Sequence, residues 1–81
     1  MHEYSVAQQI IKMAEKACLD ANAGSVRKIS IVAGRYSGFI GESISMYFDI
    51  ISEGTLCEGA AIEIEPAETG KEFYIKEIEV E

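Results

Sequence analysis

The only histidine of the chain stands at position 2, where it has a chemistry that a histidine elsewhere lacks. The terminal amine of Met1, the backbone amide nitrogen of His2 and one imidazole nitrogen can close two fused chelate rings on one metal ion. Three nearly coplanar nitrogens suit Ni(II) or Cu(II), which favour tetragonal geometry, and suit tetrahedral Zn(II) poorly. Glu3 can fill the fourth position through its backbone nitrogen or its carboxylate. Met1, His2 and Glu3 are therefore the candidate metal ligands.

Chelation of this kind requires an unblocked terminus that retains its methionine. A bulky residue such as His2 after Met1 normally prevents removal of the methionine, so the sequence is compatible with both conditions. A histidine at position 2 of an arbitrary protein is nevertheless most often a solvated residue. The Met-His-Glu opening therefore gains weight only from the rest of the sequence.

Cys18 and Cys57 are the only cysteines, and they form no C-x-x-C pair. Without a second histidine they cannot complete a four-ligand zinc site, so we expect no bound zinc. The segment Met1 to Ser5 carries an acid and a histidine where a secretory signal would have basic residues followed by an apolar block. The sequence therefore predicts two unconnected thiols in a reducing compartment, by default the cytoplasm.

Catalytic motifs are missing from the sequence, and we predict no catalytic residues. No histidine is available inside the fold to activate a serine, and there is no G-x-S-x-G elbow. The glycine-rich stretch from Gly34 to Gly41 contains neither G-x-G-x-x-G nor G-K-[ST], so its glycines are expected to serve turns. The chain is not expected to be an enzyme.

Length and charge exclude further classes of protein. At 81 residues the chain is long enough for one domain with a modest core, and no apolar run approaches the roughly 20 residues that span a bilayer. The net charge is −7 and the seven lysines and arginines are scattered. Nucleic acids and anionic membranes would therefore be repelled, and neither is an expected partner.

Apolar periodicity predicts two helices. The first should run from about Ser5 to Asn22, with a capping-box pattern at Ser5-x-x-Gln8 and a stop signal at Asn22-Ala23-Gly24. The second should follow the glycine-rich stretch and end at Gly54. Its apolar stripe consists of Ile40, Ile44, Tyr47, Phe48 and Ile51.

Three segments have the composition of strands: Val26 to Ala33, Ala60 to Glu65, and Phe73 to Glu81. The last changes its apolar phase between Ile75 and Ile78, which predicts a bulge near Lys76-Glu77. The first two strands should be parallel, joined through the second helix, and the last two should form an antiparallel hairpin. The predicted fold is a two-layer α+β sandwich with two helices on a small three-stranded mixed sheet, its strand order undecided.

Several segments, in order, resemble the HypA/HybF family of nickel-insertion accessory proteins. The opening Met1-His2-Glu3-Tyr4-Ser5-Val6-Ala7 matches that family's M-H-E-x-S-[IV]-A, and Gly34-x-x-Ser37-Gly38 with Glu42 is similar to its turn into the second helix. Glu53-Gly54-Thr55 resembles its E-G-T, and the segment from Ile75 to Val80 its closing strand. Each motif alone is weak, but together they cover nearly the whole chain.

The resemblance implies delivery of Ni(II) to [NiFe]-hydrogenase, and in some bacteria to urease. It also implies two partners, the GTPase HypB and the hydrogenase large subunit. Only Met1, His2 and Glu3 match the family's nickel motif residue by residue. Arg35 replaces a glutamate that many members carry, so Glu42 is only a candidate further carboxylate.

Family members usually carry a zinc domain with two C-x-x-C pairs between the last two strands, and the resemblance places its expected position near Glu68-Thr69. This chain has no such insert, while both flanks resemble the family. Natural loss of the module and deliberate removal of it both remain open. We expect residues 1–81 to form a single nickel-binding domain, as a monomer or a homodimer. The alternative is a metal-free α+β protein-interaction module.

Overall fold

The structure, a computed structural model, describes residues 2–34, 37, 41–67 and 70–81, and of His2 it describes only the backbone. Its elements follow the predicted order of helix, strand, helix, strand, strand. They are α1 (His2–Asp20), β1 (Val26–Gly34), α2 (Gly41–Ile51), β2 (Ala61–Ala67) and β3 (Phe73–Val80). Two helices on a three-stranded mixed sheet confirm the predicted α+β sandwich.

Helix α1 begins three residues earlier than predicted, at His2 rather than Ser5. Glu3 in its first turn is favourable because the amino end of a helix carries partial positive charge. Tyr4 meets Tyr47 of α2 edge to face, with the ring centroids 5.5 Å apart. This tertiary contact accounts for a helical first turn that the capping pattern at Ser5 did not predict.

The carboxyl end of α1 is a Schellman motif. The N–H of Ala23 donates to the carbonyl of Cys18 at 3.0 Å, and that of Asn22 donates to Leu19 at 3.0 Å. Asn22 has a φ of 55°, the left-handed conformation that asparagine tolerates better than most residues. The helix therefore ends at Asp20, two residues before the predicted boundary, with the predicted stop signal forming the cap.

Helix α2 buries Ile44 and Phe48, as its apolar stripe predicted, while Ile40 lies outside the described residues. The helix ends at Ile51, and a compact turn follows it. In that turn the Thr55 hydroxyl donates to the Ser52 carbonyl at 2.6 Å and accepts from the N–H of Cys57 at 3.0 Å. The Glu53-Gly54-Thr55 motif therefore shapes the return from α2 to the sheet.

The sheet has the strand order β2-β1-β3. Strands β1 and β2 are parallel, as predicted for a connection through α2. The predicted hairpin between β2 and β3 is wrong, because β3 pairs antiparallel with β1 on its other side. The sequence pattern could not separate these arrangements, since a short connection fits a tight turn as well as a crossing over the end of one strand.

Strand β2 also extends past its predicted end at Glu65 and includes Pro66. Proline lacks an N–H for a ladder hydrogen bond, but an edge strand needs such bonds on one side only. Since β2 is an edge of the sheet, Pro66 lies within the strand rather than ending it.

Residues 70–72, which lead into β3, pass closely over the end of β1 at Gly34. The N–H of Gly34 donates to the Glu72 carbonyl at 2.6 Å. A Cβ at Gly34 would lie 2.6 Å from the Gly70 carbonyl oxygen and 2.9 Å from the Glu72 nitrogen, both backbone atoms. Glycine is thus required here for close backbone approach.

Strand β3 contains the predicted bulge. Its register against β1 steps from Glu77 opposite Ser30 to Ile75 opposite Ile31, so Lys76 is the extra residue. The bulge keeps Ile75 and Ile78 on the side of the sheet that carries Ile29 and Ile31. Both helices cover this side, and the isoleucines of all three strands belong to or pack against the core there.

We predict that Gly34→Ala lowers the free energy of unfolding by about 2–3 kcal/mol, because the new methyl group meets backbone that cannot yield as a side chain would. Urea denaturation would measure the change. The matched control is Gly24→Ala, whose Cβ would lie 3.8 Å from its nearest neighbour. Equal stabilities for the two variants would contradict the close crossing.

Candidate metal centre

The first turn of α1 positions the candidate ligands. His2 is the first helical residue and Glu3 follows it, half-buried. The first four N–H groups of any α-helix have no acceptor within the helix, so the amide nitrogens of His2 and Glu3 hold no intrahelical hydrogen bond. Met1 and the imidazole of His2 lie outside the described residues. The structure therefore describes only part of this candidate centre.

The contact between Tyr4 and Tyr47, which no sequence motif indicated, anchors this turn to α2. Tyr47 is half-buried against the core, whereas 38% of the Tyr4 surface remains exposed. An aromatic pair in edge-to-face geometry adds about 0.5–1.5 kcal/mol to the burial of its area. Glu3, the last of the candidate ligands, is therefore directly adjacent to a fixed point of the fold.

The two thiols are structural. Cys18 and Cys57 are both free and fully buried, in agreement with the prediction of unconnected thiols. Cys18 Sγ donates to the Ala23 carbonyl at 3.5 Å within the helix cap. Cys57 Sγ donates to the Ile11 carbonyl at 3.9 Å, which joins the turn after α2 to α1.

Glu15 is a further structural residue that the sequence did not reveal. Its carboxylate accepts the N–H of Leu56 at 3.1 Å and so holds the turn after α2 against α1. Burial, reinforced by the negative charge of Glu15, raises the pKa of the neighbouring Cys57 thiol from 9.0 to about 11. A thiol that keeps its proton at neutral pH is a poor metal ligand.

The segment that resembles the family's G-x-x-S-G turn is described only in part. Ser37 donates its N–H to the Gly34 carbonyl at 3.0 Å, while Arg35 and Gly38 lie outside the described residues. Glu42 lies in the first turn of α2 and lines a groove beside β2 with Ser45, Asp49 and Pro66. Its carboxylate is thus placed on the α2–β2 side of the molecule.

Within the described ranges, no three residues of the types His, Cys, Asp and Glu come together in a group that could hold a metal ion. None of the described helices is both long and apolar enough to cross a bilayer.

Comparison with known proteins identifies the family. A family model described as "Hydrogenase/urease nickel incorporation, metallochaperone, hypA" matches residues 1–70. The hydrogenase maturation factor HypA of Dehalococcoides mccartyi strain 195 is 36% identical over 70 residues, which cover 84% of this chain and 59% of that protein. HypA of Caldanaerobacter subterraneus is 37% identical over 62 residues, covering 76% of this chain and 54% of that protein. The chain belongs to the HypA family of nickel-incorporation metallochaperones.

A solved structure agrees with this fold. The solution structure of the Ni metallochaperone HypA from Helicobacter pylori matches with a TM-score of 0.85 at 15% identity, covering 96% of each chain. At this identity the likeness shows the fold alone. The chain spans little more than half the length of the curated relatives it matches.

The raised pKa of Cys57 predicts a loss of stability in alkaline solution. Between about pH 9 and pH 11 the unfolded chain loses the thiol proton of Cys57 while the folded chain keeps it, so the free energy of unfolding falls. The Cys57→Ala variant has no thiol at this position, so its free energy of unfolding lacks this pH dependence. The stability difference between wild type and the variant should therefore narrow across this range, as measured by urea denaturation at several pH values. A constant difference would contradict the raised pKa.

Proposed function

We propose that this chain is the nickel-binding domain of a HypA-type metallochaperone and that it holds Ni(II) through Met1, His2 and Glu3. The observation that carries the proposal is the start of α1 at His2. An amide nitrogen can bind a metal only after losing its proton, which for most residues of a fold would break a backbone hydrogen bond. His2 and Glu3 have no intrahelical bond to lose.

Charge also favours this assignment. The amino end of α1 carries partial positive charge, which stabilises a deprotonated amide and opposes a bare cation. With one amide anion and the carboxylate of Glu3 as ligands, the complex of Ni(II) is formally neutral. The terminal amine and the imidazole complete the set without adding charge. The helix end is thereby compatible with the metal once the amide proton has left.

The nickel would be cargo rather than a resident cofactor. We propose [NiFe]-hydrogenase as its destination, and in some bacteria urease, with the GTPase HypB and the hydrogenase large subunit as partners in the cytoplasm. The family description, which names hydrogenase, urease and nickel incorporation, supports this proposal. Carriage of cargo rather than catalysis also agrees with a chain in which we predict no catalytic residues.

We further propose that the chain lacks the zinc domain of its family and binds no zinc. The family model matches residues 1–70, and β3 follows from Phe73. The proposed position of the missing insert, Glu68-Thr69, lies outside the described residues. In the sequence it falls between β2 and β3. An insert at this place would leave both strand pairings, β1 with β2 and β1 with β3, possible.

We predict that the chain with a free amine on Met1 binds about one Ni(II), and that one extra residue before Met1 abolishes binding because the amine is then consumed. His2→Ala should weaken binding by more than the roughly 10–100-fold typical of a lost outer-shell partner. Its free energy of unfolding should change by less than about 0.5 kcal/mol, since the residue is terminal. Isothermal titration calorimetry and urea denaturation would measure both.

Glu3→Gln, with Glu53→Gln as control, separates the two ways in which Glu3 can act. Glu53 lies exposed in the turn after α2, and its substitution should leave nickel affinity unchanged. A weaker Glu3→Gln complex would assign the carboxylate as ligand, and an unchanged one the backbone nitrogen. Undiminished binding by the extended chain would disprove the amine as a ligand, and no nickel binding at all would favour the metal-free interaction module.

A further inference from the structure

Two helix starts compete at the amino end of α1. The capping-box pattern Ser5-x-x-Gln8 is the signal for a helix that Ser5 caps, with residues 1–4 outside it. The helix instead begins at His2, so Ser5 lies within it. The residue before His2 is Met1, and a methionine side chain has no oxygen to accept the free N–H groups of a helix end. The local sequence thus favours the start at Ser5, whereas the structure has the start at His2.

The first turn of α1 precedes the part of the helix that is embedded in the core. Ala7 is fully buried and Val6 is half-buried against the core, whereas Ser5 is exposed. Within the turn, the ring of Tyr4 meets the ring of Tyr47 edge to face, with the two ring planes at 89°. This contact ties the turn to α2 from a position that comes before the buried stripe of α1.

The two starts are close in free energy. A serine cap and an edge-to-face aromatic pair each stabilise a structure by an amount of the same order. The start at His2 gains the aromatic pair and gives up the Ser5 cap, while the start at Ser5 does the reverse. The balance between them therefore decides where the helix begins, and removal of either contribution should shift it.

We propose that Tyr47 is a positioning residue for nickel, because its ring holds Tyr4 and keeps the helix start at His2 rather than at Ser5. The inference rests on the proposed function of the amino terminus. With the start at His2, the amides of His2 and Glu3 stand at the positive end of the helix dipole and have no acceptor within the helix. With the start at Ser5, that end moves away from the ligands, and nickel would have to order a flexible segment in order to bind.

The coupling must act in both directions. If the start at His2 raises the affinity for nickel, bound nickel favours that start by the same factor. Nickel at the terminus would therefore strengthen the contact between Tyr4 and Tyr47, which joins α1 to α2. Loading with nickel would thus tighten the packing of the two helices at their contact near the ligands.

The variant Tyr47→Leu tests the proposal, because it keeps apolar bulk against the core and removes the ring. Backbone carbon chemical shifts of the metal-free chain should show that residues 2–4 lose helical structure. Isothermal titration calorimetry should show nickel binding that is about tenfold weaker. Tyr47→Phe keeps a ring and should match the wild type. Ile51→Ala truncates another half-buried side chain of α2 that packs against the core, and should lower stability while leaving nickel affinity unchanged.

Addition of Ser5→Ala to Tyr47→Leu is the decisive variant, because it removes the competing cap. It should restore the helical shifts of residues 2–4 and bring nickel affinity to within about threefold of wild type. Ser45→Ala, the same change in the middle of α2, should restore neither. An unchanged first turn or unchanged nickel affinity in Tyr47→Leu, or no rescue by Ser5→Ala, would overturn the positioning role alone. A wild type that binds no nickel at its terminus would refute the proposed function, and the positioning role with it.

Discussion

The central position of β1 is the constraint on which the rest of the fold depends. Strand β1 carries both ladders, one parallel and one antiparallel, so the chain must pass from one of its flanks to the other. It does so over Gly34, where the backbones approach too closely for any side chain. Without that crossing, β3 could reach only the outer edge of β2.

The same arrangement determines where the candidate ligands lie. Because the sheet presents one apolar side, α1 and α2 both pack there and contact each other. Tyr4 meets Tyr47 across that contact, and Glu15 reaches the turn after α2 from the following turns of α1. The amino end of α1 is thus held by tertiary contacts, although the ligands themselves precede them in the chain. A metal bound there need not disturb the core.

Local sequence signals predicted most of the elements but not how distant ones combine. Asn22 and the phase change near Lys76 were recognisable because each acts through its own immediate backbone. The pairing of β3 with β1 was not, since β2 and β3 are neighbours in sequence and their short connection fits a hairpin as well as a crossing. The start of α1 was missed for the same reason. The first turn of α1 depends on the contact between Tyr4 and Tyr47, which is distant in the chain. The candidate ligands were predicted from the position of the only histidine beside the amino terminus and from the resemblance of Met1-His2-Glu3 to the family motif.

The electronic state of the nickel complex tests the central claim most directly, namely that the His2 amide nitrogen is a ligand. Strong in-plane nitrogen donors make Ni(II) low-spin and square-planar, whereas oxygen and water ligands give an octahedral paramagnetic ion. Absorption and magnetic susceptibility on one sample should therefore show a yellow, diamagnetic complex. It should dissociate as the amine and imidazole, with reference pKa values of about 7.7–8.0 and 6.5, regain their protons. A paramagnetic, six-coordinate complex would contradict the amide chelate, even if His2 bound the metal.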